Sequence, residues 1–455
     1  MDFDLVVIGA GSGGVAASRR AAAHGARVAV VEAGRVGGTC VLRGCVPKKL
    51  LMYAAEFGEG FAEARGYGWT FAAAPGFDMA AWQAAKAAET TRLEGVYRRL
   101  LDGSGVTLIE GAAHLDGPGR VRVGDEHFTA SHIILATGAS PVRDTLPGLE
   151  ACATSNELLD MDALPPRAAV VGSGYIAVEF ASMLARLGVQ VAMFYRAELP
   201  LRGFDPMLRA AAAAELQAAG VELHAGVLPR RVRPLLEGFE LELADERVLA
   251  VDWVLNATGR RPNSAGLGLA SVGLAPRADG AVEVDDGLRT RAEGVYAIGD
   301  LTQLKNLTPV AIAQGRALAD TLFGAAPRRV DLSLVASAVF MLPPIASVGP
   351  GEDELVAAGR AVQVYETDFR PMKQAFLGAV AAPGQRTRMK LLVDAAGDRV
   401  LAVHMIGADA PEIVQSLAVA LTAGATKAHF DRTLALHPTA AEEFVLMREP
   451  VRTLG

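Results

Sequence analysis

Two of the chain's three cysteines stand with four residues between them, in Gly37-Gly38-Thr39-Cys40-Val41-Leu42-Arg43-Gly44-Cys45-Val46-Pro47-Lys48-Lys49. A disulfide needs Cα atoms about 4.4–6.8 Å apart. Five residues of straight helix rise about 7.5 Å, so a regular helix could not join the pair. Gly44 makes a distorted turn available, and Pro47 suits the first turn of a helix continuing through Leu50, Leu51, Met52 and Tyr53. Cys45 then sits at a helix N-terminus with Lys48 and Lys49 close by, and both features favour the thiolate. The pattern points to a redox-active pair. Zinc would need further Cys or His ligands at usable spacing, and none is near. Two inert buried thiols would want an apolar setting, which glycines, lysines and a helix start supply poorly. Cys152, in EACATSNE, has no partner in sequence and reads as structural.

The elements flanking this pair carry two phosphate-binding signatures. Residues 4–8 form an apolar strand, followed by Gly9, Gly11, Ser12, Gly13 and Gly14 and an Ala-rich helix to about His24. A second strand from Ala26 to Val31 ends at Glu32. The glycines allow a tight turn, close backbone approach to a pyrophosphate and close helix–strand packing, while an acid about 20 residues on accepts hydrogen bonds from a ribose. The helix N-terminus supplies N–H groups and partial positive charge. The unit recurs at Ala168–Val171, with Gly172, Gly174, Tyr175 and Ile176 opening a helix to about Leu187. Its next strand, Val189 to Phe194, ends at Tyr195 and Arg196, with Arg202 in the same loop. Here a base replaces the acid. An Arg suits a 2′-phosphate where an acid suits a free hydroxyl, and two can clamp the dianion. The alternatives are solvated loop charges at Arg196 and Arg202, or a ribose contact from Glu198. The swap favours NADP over NAD.

Two further strands, HIILATG (132–138) and WVLNATG (253–259), both end in Ala-Thr-Gly, which brings Thr137, Gly138 and Gly259 to strand ends. VYAIGD (295–300) ends in Asp300, where ligands sit in open α/β sheets. From about residue 335 the Gly-rich signatures stop. VASAVFMLPPIASVG, AVQVYETDF and RMKLLVDAAGDRVLAVHMIG read as strands with turns, 411–424 as a helix and 440–448 as a final helix.

A length of 455 residues suggests two to four domains. With 51% hydrophobic and 21% charged residues, disorder is not the main state. A formal charge of −7 argues against a general nucleic-acid binder. Mean hydropathy is +0.26, yet no apolar run reaches the ~18–20 residues of a spanning helix. The opening MDFDLVVIGAG lacks a secretory or transit pattern, so the expected location is the cytoplasm, with no nucleic-acid or membrane partner.

Gly37–Leu51 (GGTCVLRGCVPKKLL) resembles the active-site signature of the flavin-dependent pyridine nucleotide–disulfide oxidoreductases. The resemblance spans the chain through GSGYIAVEFA (172–181), YAIGD (296–300), LTPVAIAQGR (307–316) and HPTAAEEF (437–444). It implies an α/β protein with two Rossmann-like nucleotide-binding domains, for FAD and NADP, plus a C-terminal α+β dimerisation domain. The expected boundaries are 1–143 for the first part of the FAD domain, 144–264 for the NADP domain, 265–334 for the second, central part of the FAD domain, and 335–455 for the dimer interface. It further implies a homodimer, a Cys40–Cys45 disulfide, FAD contacts that include Thr39 and Thr308, and no metal. Cys45 would face the flavin and Cys40 the substrate. His437 would be the acid–base acting across the dimer, oriented by Glu442. Thr439 and Glu442 also fit a helix capping box, a purely structural alternative for the acid. Lys48 and Glu179 would form an ion pair beside the flavin, and Tyr175 would cover the nicotinamide pocket. For Glu179 the alternative is a surface helix acid.

The resemblance also bears on substrate. Members that reduce glutathione disulfide, an anionic molecule, are similar at Ala16, Arg19, Tyr97 and Arg316, with Phe369, Met372 and Glu443 coming from the partner. Trypanothione reductases present a bulkier, more acidic wall. Dihydrolipoamide dehydrogenases usually carry Gly at the Ala177 position and an acid at the Arg196 position. Mercuric reductases add a C-terminal cysteine pair, and no cysteine follows Cys152. The expectation is NADPH-dependent reduction of glutathione disulfide. A sister reductase for another small disulfide, or a non-catalytic redox-sensing flavoprotein, are the alternatives.

Overall fold

The computed structural model describes residues 1–73, 75–378 and 385–455. The chain divides into two compact units. Unit 1 comprises Met1–Lys48, Ala80–Val142 and Gly259–Leu332, and unit 2 comprises Lys49–Met79, Arg143–Thr258 and Ser333–Gly455.

Unit 1 is built on a sheet whose centre is the strand Phe3–Ile8, with Leu5, Val6 and Val7 fully buried. Apolar residues on both faces are what a parallel strand covered on both sides requires. Val28–Glu32 and then Thr107–Glu110 lie parallel on one side. Glu126–Leu135 lies parallel on the other and is itself flanked by Val295–Ala297. The strands Arg120–Val123 and Ala113–Leu115 continue the sheet antiparallel. The helices Ser12–Ala23 and Thr308–Phe323 pack closely. A Cβ on Gly315 would lie 2.5 Å from the Gly13 carbonyl oxygen.

Unit 2 holds a second parallel sheet, ordered Glu222–Ala225, Gln190–Tyr195, Arg167–Val171 and Trp253–Asn256, with the helix Tyr175–Arg186 crossing it. Its C-terminal part is a six-stranded antiparallel sheet. In order, its strands are Ser337–Val339, Ile345–Val348, Val400–Ile406, Thr387–Asp394, Val362–Phe369 and Arg452–Leu454.

The first glycine of each Gly-rich turn is required for the same structural reason. A Cβ on Gly9 would lie 2.5 Å from the Ala136 carbonyl oxygen, and one on Gly172 would lie 2.3 Å from that of Ala257. Both glycines have positive φ, 109° and 135°. In each sheet the neighbouring strand's end presses on the first glycine of the turn, leaving no room for a side chain.

One expectation changes. The helix expected over 440–448 is instead a 3-10 turn, Ala440–Glu442, followed by a single helical turn, Glu443–Leu446. Pro450 lies just beyond, where helical continuation is disfavoured. Unit 1 resumes at Gly259, and there Arg260–Pro262 pairs antiparallel with Ala139–Pro141. The helix Cys45–Gly66 also groups with unit 2 from Lys49 onward.

Candidate active site

The dithiol is hooked onto the first Gly-rich turn. Gly37 donates its N–H to the Ala10 carbonyl at 3.0 Å and forms an isolated parallel bridge with Gly11. Gly38 has φ 65°, and a Cβ there would lie 2.7 Å from the Gly11 Cα. Only glycine permits that approach. Cys40 then rides on the short helix Gly38–Leu42, which stops at Arg43 (φ −144°, ψ 20°). Thr39, exposed on the same helix, accepts the Arg43 N–H at 2.9 Å. A Cβ on Gly44 would crowd that Thr39 oxygen at 2.9 Å. A new helix begins at Cys45, with Pro47 in its first turn. The straight-helix objection to pairing the cysteines is thus removed by a break at residues 43 and 44.

Cys40 and Cys45 are free thiols. The Cys45 thiol is lowered to about 6, first by the hydrogen bond from Cys40, then by Thr308 and by the Lys48 charge, all acting against burial. The Thr308 Oγ1 lies 3.4 Å from the Cys45 sulfur, at the start of the helix Thr308–Phe323. Cys40 is pushed up, first because its own proton serves Cys45 and then by burial. The proton therefore stays on Cys40 and the charge on Cys45. The Tyr97 phenol, on the helix Met79–Asp102, is raised by burial, and the charges of Cys40 and Cys45 add to that.

The first turn fits a dinucleotide. No side chain caps the helix Ser12–Ala23, which leaves its first N–H groups for an anion. The space beside Gly11 is open apart from Gly38. Glu32 is held at its strand end by the N–H groups of Ala10 at 2.7 Å and Gly34 at 2.9 Å. Asp300, in the turn Gly299–Thr302, has its carboxyl raised by burial, with the Arg260 charge pulling it back. Three supports escaped the sequence reading. Asn263 donates to the Thr137 carbonyl at 2.9 Å and from its backbone N–H to Gly138, also at 2.9 Å. Gln314 accepts the Gly299 N–H at 2.8 Å, and Arg260 donates to the Ala139 carbonyl. The repeated Ala-Thr-Gly ending was the available signal for the first and third.

The second turn fits an anion as well. A Cβ on Gly174 would meet nothing within 4 Å, and the helix Tyr175–Arg186 also starts without a side-chain cap. Tyr175 is exposed at its first position, beside half-buried Ile176. The Leu201 N–H donates to the Ser173 carbonyl at 2.8 Å, drawing the Arg196–Arg202 loop over the turn. Both arginines are exposed and make no ion pair among the described residues. Glu179 is fully buried, unlike a surface helix acid, and accepts the Phe340 N–H at 2.8 Å.

In the C-terminal part, a cis His437–Pro438 bond precedes Thr439. Thr439 accepts the Glu442 N–H at 3.3 Å, but the Glu442 carboxylate turns to His437 Nδ1, at 3.1 and 3.2 Å from its two oxygens. The capping box is therefore only half formed. The His437 side chain is 80% exposed, and the Glu442 side chain 13%. Met372 is exposed, Glu443 half-buried, and Phe369 packs on the core of the antiparallel sheet.

Two dinucleotide-type sheets and an ionisable dithiol hooked to one of their turns define a nucleotide-dependent disulfide oxidoreductase. The chain belongs to the pyridine nucleotide-disulphide oxidoreductases. That family's model matches residues 3–315, and the family's dimerisation-domain model matches residues 335–448. Among similar proteins, a glutathione reductase of Burkholderia cepacia is 46% identical over 98% of both chains. The chloroplastic/mitochondrial glutathione reductase of Pisum sativum is 43% identical over 99% of this chain and 83% of its own. That of a Nostoc strain is 41% identical over 98% and 99%. A solved structure, the HOCl-induced flavoprotein disulfide reductase RclA from Escherichia coli, superposes with a TM-score of 0.86 at 26% identity, covering 98% of this chain and 99% of its own. Among the described residues, no helix is long and apolar enough to cross a membrane.

Proposed function

We propose that this protein is an NADPH-dependent reductase of glutathione disulfide, acting as a homodimer with FAD at the first Gly-rich turn and NADPH at the second. The observation that carries the reading is the position of the dithiol: the segment bearing Cys40 and Cys45 is pressed against the dinucleotide turn, where a Cβ on Gly38 would lie 2.7 Å from the Gly11 Cα, and the Thr308 hydroxyl lies 3.4 Å from the Cys45 sulfur. The full-length relatives at 41–46% identity support the substrate. Bound FAD would relay the two electrons of NADPH to the Cys40–Cys45 disulfide.

The residues then divide the work. Because Cys40 holds its proton, it needs a base before it can attack. His437 of the partner subunit takes that proton, with the partner's Glu442 fixing the ring through Nδ1. The Cys40 sulfur bonds to one glutathione sulfur, the substrate S–S bond breaks, and the imidazolium protonates the departing thiolate. The Cys45 thiolate then bonds to the Cys40 sulfur and releases the second glutathione. Its low pKa keeps it ionised for that step. Lys48 contributes the charge that already lowers Cys45, and Glu179 is the buried acid assigned to the flavin side of the reaction. Arg196 and Arg202 hold the 2′-phosphate of NADPH. Ala16, Arg19, Tyr97 and Arg316 receive glutathione, with Phe369, Met372 and Glu443 from the partner.

The test is NADPH oxidation by the purified holoenzyme with glutathione disulfide against a panel of cystine, lipoamide and trypanothione disulfides. Glutathione disulfide should give the highest kcat/KM. A higher value for another member of the panel would transfer the assignment to a sister activity.

A further inference from the structure

The loop that carries Arg202 is fastened at both ends within unit 2. On its leading side Leu201 is buried and has φ 56°. That conformation is unusual for a bulky residue and persists only where the surroundings hold it. The Leu201 N–H donates to the Ser173 carbonyl at 2.8 Å, inside the second Gly-rich turn. Its carbonyl accepts the Phe204 N–H at 3.0 Å, which closes a β-turn. Arg202 stands at the second position of that turn. Gly203, at the third, has φ 90°, the positive value that glycine supplies there. Arg209 steadies the approach, its guanidinium donating to the Leu199 and Pro200 carbonyls, each at 3.0 Å.

On the trailing side stands buried Asp205. It caps the helix Pro206–Ala218 by accepting the Met207 N–H at 2.9 Å. The same carboxylate accepts the Glu352 N–H at 3.2 Å and lies 2.7 Å from Lys390 Nζ. Lys390 is buried on the strand Thr387–Asp394 of the C-terminal sheet, and its other partners are Glu352 and, at 3.0 Å, Glu366. Arg452 in turn pairs with both glutamates. His404, on the neighbouring strand, approaches Asp205 to 3.9 Å and is held by Ser347 Oγ at 2.9 Å and by the Pro350 carbonyl at 3.1 Å. A Cβ on Gly351 would lie 3.3 Å from the Asp205 Cα, so the two segments pack backbone to backbone.

We propose that the Asp205–Lys390 pair positions the nucleotide-selecting turn, tying it to the C-terminal sheet so that Arg202 meets the 2′-phosphate of NADPH. The proposal rests on the NADPH reading above and deepens it, because it places a specificity determinant outside the nucleotide-binding sheet. Lys390 touches no nucleotide and acts through Asp205. The argument is one of register. A buried ion pair adds little net stability over a well-packed apolar contact. Its hydrogen bonds are directional, however, and fix one placement of the turn where an apolar contact would let it slide. No more than about 11 Å of chain separates Arg202 from Asp205, so a shift at Asp205 passes to Arg202. NADH, which lacks the 2′-phosphate, does not draw on that placement.

The experiment compares the holoenzyme with its Lys390→Met and Asp205→Asn variants. The asparagine keeps a capping oxygen for the Met207 N–H and leaves Lys390 its two glutamates, so this variant decides the matter should the first fail to fold. Lys390→Met should raise KM for NADPH roughly tenfold, with kcat at saturating NADPH and KM for NADH both within about twofold of wild type. Asp205→Asn should move KM for NADPH in the same direction by a smaller factor. Calorimetric affinity for 2′,5′-ADP, which carries the same phosphate, should fall in parallel. A merely structural role would lower Tm and shift both nucleotides alike. That outcome, or an unchanged KM for NADPH in folded Asp205→Asn, overturns the proposal. A wild-type enzyme that uses NADH as readily as NADPH would sink the NADPH reading itself, and the positioning role with it, before any variant is compared.

Discussion

The hydroxyl of Thr308 lies 3.4 Å from the sulfur of Cys45, across 263 residues of sequence. Thr308 reads in the sequence as a cofactor contact. The fold adds a second role, because this hydroxyl is one of the groups that lower the Cys45 thiol.

Alkylation of Cys45 in the reduced protein, followed by mass spectrometry, should therefore track an ionisation near pH 6. The rate should fall as pH drops below that value, because the folded-state pKa is depressed and protonation removes the nucleophile. Thr308→Ala should move the midpoint upward by as much as about one pH unit, the equivalent of one hydrogen bond to a charged group. A midpoint left unchanged by that substitution would remove Thr308 from the thiolate's stabilisation.

Exposed His437 is held through Nδ1 by a carboxylate that is itself mostly covered, which leaves Nε2 outward. His437→Gln should slow disulfide reduction by about 10²–10⁴-fold while the NADPH-consuming half-reaction, followed by stopped flow, stays near wild type. Glu442→Gln should lie between the two. Equal slowing of both half-reactions would argue against an acid–base role.

Gly38 and Gly174 should respond oppositely to alanine. At Gly38 a methyl meets the Gly11 backbone at 2.7 Å with φ 65°, whereas at Gly174 it meets nothing and φ is −74°. Gly38→Ala should cost about 1–2 kcal/mol from the backbone conformation alone, lower Tm and reduce flavin retained on purification. Gly174→Ala should leave Tm unchanged. Comparable Tm losses in the two variants would mean that the close approach at Gly38 does not govern stability.

Arg196 and Arg202 are exposed on a loop drawn over the second turn and carry no ion pair among the described residues. Replacing both by Ala should raise KM for NADPH by roughly ten- to a hundredfold, the loss expected for one charge-assisted hydrogen bond, and leave NADH kinetics almost unaffected. Steady-state assays with the two nucleotides decide it. An unchanged preference would return both arginines to the role of solvated charges.

Local spacing was enough to reveal the two βαβ units, the acid-to-base swap from Glu32 to Arg196, and a cysteine pair at a helix start. Each is a relation among neighbours, and backbone sterics and helix dipoles act over that range. The same logic overextended the last helix, which stops after Leu446, shortly before Pro450. The sequence could not show what crowds Gly9 and Gly172, since the reason is a strand end some 127 and 85 residues away, the Ala136 carbonyl on Gly9 and the Ala257 carbonyl on Gly172. Nor could it show that Glu442 turns to His437 and not back to Thr439, or that Glu179 is buried against Phe340. Above all, the ionisation split between Cys40 and Cys45 arises from burial, a shared proton and a hydroxyl from a distant helix. Spacing names the reactive groups, but their pKa values depend on what the folded chain brings within a few ångströms.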